Sequence, residues 1–74
     1  MNPEEVKKII LAALPEAKVK VADMTGSGDH FDIAVASEAF RGKTLMDQHK
    51  VLYAILDHEM KNRIHAVKLR TSLP

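Results

Sequence analysis

The sequence predicts a small α+β domain covering residues 1–74, a three-stranded mixed sheet with helices on one face. Three observations predict it. "AKVKVADM" and "FDIAVAS" alternate apolar and polar residues, as half-buried strands do. "TGSGDH" between them carries the glycines of a hairpin loop. Two further segments space their apolar residues at helical intervals, and the second of these separates the middle strand from a last strand, "RIHAVKLR".

The elements follow in order. A helix is predicted from Pro3 to Leu14, capped by Asn2, with Pro3 in the first helical position and Glu4 and Glu5 at the positive end of the dipole. Val6, Ile9, Ile10, Ala13 and Leu14 share its apolar face, and Pro15 ends it. In the first strand Val19 and Val21 face inward; in the second, Phe31, Ile33 and Val35 do. "SEAFRGK" reads as a turn with one short helical turn, stopped at Gly42. "TLMDQHKVLYAILDHEM" is the long helix, with Thr44 and Asp47 as a capping box. Its stripe is Leu45, Leu52, Ile55, Leu56 and Met60, with His49 inside it.

The second and third strands are joined by a helical crossover, so as neighbours they run parallel. Parallel neighbours begin at the same end of a sheet, about 4.8 Å apart. His30 immediately precedes the second strand, and His65 opens the inward row His65, Val67, Leu69 of the third. Two imidazoles distant in sequence therefore start at one edge, although strand parity sends His30 outward and His65 inward. As a pair they resemble half of a transition-metal site, with Asp29 or Asp32 available as a carboxylate. Singly, His65 reads as a hydrogen-bonded strand-end residue and His30 as a loop residue in water. His49 reads as a core histidine and His58 as a solvated residue near a helix C-terminus.

Composition narrows the function classes. The aromatic share is 4%, so the core is aliphatic, and without cysteine the chain has neither a disulfide nor a thiolate ligand. No secretory signal or membrane-spanning run is present, which leads to the expectation of a soluble cytoplasmic protein that binds no membrane. A net charge of +1 does not call for a polyanionic partner. Ser27, Ser37 and Thr44 lack a neighbouring base and orienting acid, and the glycines do not form a phosphate loop, so no enzymatic activity or small-molecule substrate is expected.

Gly28-Asp29-His30-Phe31, Ser37 with Phe40 and Gly42-Lys43, His49 with Tyr53, and Ile64-His65-Ala66, in that order, resemble the BolA family over nearly the whole chain. The resemblance implies a fold similar to the class II KH domain. It also implies a heterodimer with a monothiol glutaredoxin, bridged by a 2Fe-2S cluster that the glutaredoxin and a bound glutathione hold with thiolates. The implied ligands here are His65 from the last strand and His30 from the loop; some relatives carry a Cys or His where this chain has Ser27. Mixed thiolate and imidazole ligation is similar to the Rieske arrangement and requires neutral imidazoles. No cofactor is expected in the isolated chain, which is expected to be a monomer or weak dimer. BolA-like proteins have also been regarded as transcriptional regulators. A DNA-binding surface would draw on Lys43, Lys50, Lys68 and Arg70 among its cations, although the chain lacks the G-x-x-G loop of KH domains.

Overall fold

A computed structural model describes residues 1–74. Helix α1 spans Pro3–Ala13, strand β1 Lys18–Asp23 and strand β2 His30–Ala36; a 3-10 turn at Glu38–Phe40 leads to helix α2, Leu45–Asn62, and strand β3 spans Ala66–Ser72. The sheet order is β1-β2-β3, with β1 antiparallel and β3 parallel to the central strand. This is the predicted α+β architecture, including the mixed sheet.

Local chemistry sets the element ends. The Asn2 side chain accepts from the Glu5 amide at 2.9 Å, and Glu5 accepts from the Asn2 amide at 3.4 Å, a complete capping box. At α2 only half of the expected box forms: Thr44 Oγ1 accepts from the Asp47 amide at 3.2 Å, with no reciprocal bond from Asp47. Gly42 takes φ +78°, a left-handed conformation open to glycine, and so stops the 3-10 turn. Helix α2 runs to Asn62, two residues beyond the predicted end, and β3 begins at Ala66 rather than Arg63.

The core lies between the sheet and the helices. It comprises Val6 and Ile10 of α1, Val19 of β1, Phe31, Ile33 and Val35 of β2, Phe40 of the 3-10 turn, Leu52 and Leu56 of α2, and Ile64. Strand β2 alternates buried and half-buried residues along its whole length, as expected of a central strand with one covered face. Phe40, wedged in from the 3-10 turn, joins a core that the helix and strand periodicities did not assign to it. Ser37 is the one buried polar residue, and both its needs are met: Oγ donates to Glu16 at 2.5 Å and accepts from the Ala39 amide at 3.0 Å. That bond, above all, holds the Glu16 carboxyl below its ordinary value.

Three inward assignments are corrected. Ala13, the last residue of α1, is exposed. Leu45 is 63% exposed: the first turn of α2 extends past the core, and the inward positions of the helix are Leu52 and Leu56. His65 is also exposed and precedes the strand, while its neighbour Ile64 is buried. The imidazole therefore occupies no place in the apolar row and costs the core nothing.

Candidate metal centre

The loop between β1 and β2 is built around Asp23. Its carboxylate accepts backbone N–H groups from Thr25 at 3.3 Å, Gly26 at 2.9 Å and Gly28 at 2.8 Å, so three amides turn around one anion. The main-chain carbonyl of Asp29 then accepts from the amides of His65 at 2.7 Å and Ala66 at 3.2 Å. One carbonyl thus ties the end of this loop to the entry of β3. The parallel ladder continues from there, with His30 opposite Ala66.

This junction resolves the parity conflict. Alternation governs a residue only inside the ladder, and His65 stands one residue outside it, free to turn away from the core. The rings of His30 and His65 lie with centroids 5.1 Å apart, inclined by 49°. Two imidazoles on one tetrahedral ion, with metal–nitrogen bonds of about 2.0 Å, place their centroids about 5 Å apart. The pair predicted from sequence is therefore brought together at a separation suited to a shared metal.

The surroundings of the pair are polar. Nδ1 of His30 is 2.7 Å from Asp29 Oδ1, and Ser27 Oγ donates to that same oxygen. These contacts, Ser27 first and His30 second, hold the Asp29 carboxyl below its usual range, with smaller support from the charges of His30 and His65. Asp32, the other carboxylate considered from sequence, is turned to Arg70 at 3.2 Å instead. No set of three or more His, Cys, Asp or Glu side chains is placed to hold a metal ion.

His49 and His58 stay away from the pair. His49 is half-buried on α2, its Nε2 shielded from solvent without a hydrogen-bond partner, and His58 is exposed. Leu45, Met46 and Tyr53 form an exposed apolar strip beside His49 and Lys50. The four candidate DNA-contacting cations fall on different layers. Lys43 precedes α2 and Lys50 lies on it; Lys68 and Arg70 alternate with the core-packed Val67 and Leu69 of β3 and so stand on the open face of the sheet. The role of Asp29 on His30 was hidden in the sequence, where its only signal was adjacency in "GDH".

Gly28 places this loop under a sharp steric condition. Its φ is +78°, and a Cβ there would stand 2.7 Å from the Met1 carbonyl oxygen. Gly28→Ala is expected to lose about 1–2 kcal/mol from the left-handed backbone alone, with a further loss from the clash. Gly26→Ala, at φ +76° in open space, should lose only the backbone part. Urea midpoints of the two variants check this, and equal midpoints would remove the close approach from the account.

The comparisons with known proteins agree with this architecture. Residues 8–74 match the family model described as BolA-like protein. The protein BOLA2 of Arabidopsis thaliana is 35% identical over 71 residues, covering 95% of this chain and 75% of the relative. The DNA-binding transcriptional regulator BolA of Escherichia coli is 27% identical over 78 residues, covering 96% and 74%. Among solved structures, the BolA domain of SufE1 from Arabidopsis thaliana superposes with a TM-score of 0.87 at 26% identity, covering 97% of this chain and 91% of that one. With the order of elements, the motif residues and the family model all in agreement over nearly its full length, the chain belongs to the BolA family.

Proposed function

We propose that this chain is a non-enzymatic adaptor that pairs with a monothiol glutaredoxin and co-ligates a 2Fe-2S cluster through His65 and His30, for iron–sulfur trafficking or iron regulation in the cytoplasm. The observation that carries this reading is the imidazole pair, 5.1 Å between centroids, at one edge of the sheet. A 2Fe-2S cluster takes four ligands, and two imidazoles on one iron with two thiolates on the other is a known division. A cysteine-free chain supplies the imidazole half, and a glutaredoxin cysteine with a bound glutathione supplies the other. When bound, such a cluster supplies a transferable or redox-responsive centre. The chain's own part is to hold two neutral imidazoles at the right spacing.

A second reading, a DNA-binding regulator, has in its favour the name of the Escherichia coli relative. Against it stand the division of Lys43 and Lys50 from Lys68 and Arg70, and the engagement of Arg70 with Asp32.

The test is to mix the chain with a monothiol glutaredoxin, glutathione, iron and sulfide and to record visible absorption and circular dichroism against the glutaredoxin alone. A new spectrum with one cluster per heterodimer is the expected result. A spectrum identical to that of the glutaredoxin alone, together with salt-dependent, sequence-preferring binding of duplex DNA, would replace the adaptor reading with the second one.

A further inference from the structure

An imidazole presents two nitrogens, and a neutral ring can ligate only through the one that lacks a proton. Which nitrogen of His30 is free is decided by its neighbours. Asp29 Oδ1 lies 2.7 Å from Nδ1, and that is the only hydrogen bond the ring makes. An ionised carboxylate has no proton to donate, so the hydrogen of this bond belongs to Nδ1.

The polarity extends backward along the loop. Ser27 directs its hydroxyl proton to Asp29 Oδ1, so its oxygen is left to accept from Thr25 Oγ1, 2.5 Å away. Thr25 donates to Ser27, Ser27 donates to Asp29, and His30 donates to Asp29 from the other side. The same residue also governs the second histidine. The Asp29 main-chain carbonyl holds the amides of His65 and Ala66, and so sets where His65 leaves the backbone.

We infer that Asp29 is the positioning residue of the histidine pair: its side chain fixes His30 in the Nδ1–H form with Nε2 as the ligating atom, while its carbonyl anchors His65 beside it. The carboxylate also raises the electron-donating power of the ring it touches, as carboxylates behind metal-bound histidines do. This inference rests on the adaptor reading for the ligand role of Nε2. Ser27 gains a role too, as a support for the carboxylate rather than as a ligand.

The experiment has two arms. In the free chain, two-bond proton–nitrogen correlation NMR of labelled histidine, at a pH where the rings are neutral, reports the tautomer directly. Wild type should show His30 protonated on Nδ1. Asp29→Ala should shift it toward Nε2–H, and Asp29→Asn, whose amide oxygen still accepts, should restore the wild-type form. Both variants keep the main-chain carbonyl, and thermal melts confirm that they fold. In the second arm, the half-life of the reconstituted cluster with glutaredoxin and glutathione should fall about tenfold or more in Asp29→Ala and recover in part in Asp29→Asn.

A wild-type His30 protonated on Nε2 overturns the inference. So does a folded Asp29→Ala with unchanged tautomer and unchanged cluster half-life. If wild type takes up no cluster while the tautomers respond as described, the adaptor reading and the ligand role of Nε2 fall, and the failure is traced to that reading and not to the orienting bond.

Discussion

His65→Ala is expected to abolish the cluster proposed for the heterodimer and to leave the fold intact. The side chain is exposed and makes no hydrogen bond; what holds the segment is its amide, which donates to the Asp29 carbonyl at 2.7 Å and is kept by alanine. An exposed substitution of this kind moves stability by no more than about 0.5 kcal/mol. The functional effect is far larger. Loss of a residue behind a ligand already costs about 10–100-fold in metal affinity, so loss of a ligand itself is expected to exceed about a hundredfold. Visible circular dichroism of the reconstituted heterodimer measures the loss, and a far-UV melt of the free chain measures the stability. His58→Ala, a histidine of similar exposure elsewhere on the surface, serves as the control and should retain the spectrum. A folded His65→Ala with an unchanged cluster spectrum would exclude His65 as a ligand.

Phe31→Ala is expected to have the largest effect on stability. Phe31 is fully buried in the middle strand, paired to Asp23 on one side and Val67 on the other, and the core around it is otherwise mostly aliphatic. Emptying such a site costs about 3–5 kcal/mol, transfer and cavity together. A chain of this size has roughly 4–11 kcal/mol in total. The melting temperature should therefore fall by at least about 12 °C. Phe31→Leu keeps most of the volume and should lose far less. Thermal unfolding by far-UV circular dichroism decides the matter; a fall under about 5 °C in Phe31→Ala would contradict the packing described. The proposed cluster binding should also be lost in Phe31→Ala, because His30 immediately precedes Phe31 in β2. The two variants differ in that His65→Ala is expected to lose the proposed cluster while remaining folded.

The helix and strand patterns were legible because each is a local signal. Phe31, Ile33 and Val35 recur every second residue and do face the core; Val6 and Ile10 are four apart and do share a helix face. The ends were less legible. Leu45 and Met46 carry the composition of a buried turn, yet both are exposed, because periodicity reports which residues share a face and not how far the opposing layer reaches. Phe40 was missed for the converse reason: a three-residue 3-10 turn is too short to show a period, so its burial depends wholly on what lies above it.

By itself the sequence determined the class of fold, the element order, the cysteine-free donor set and the presence of two histidines at the starts of two strands. Only the tertiary structure decided that these histidines meet. Their approach depends on one carbonyl, that of Asp29, which accepts the amides of His65 and Ala66 and starts the parallel ladder one residue after His65. That contact joins residues far apart in the chain, and alternation, a property of neighbours along a strand, carries no information about where a ladder begins.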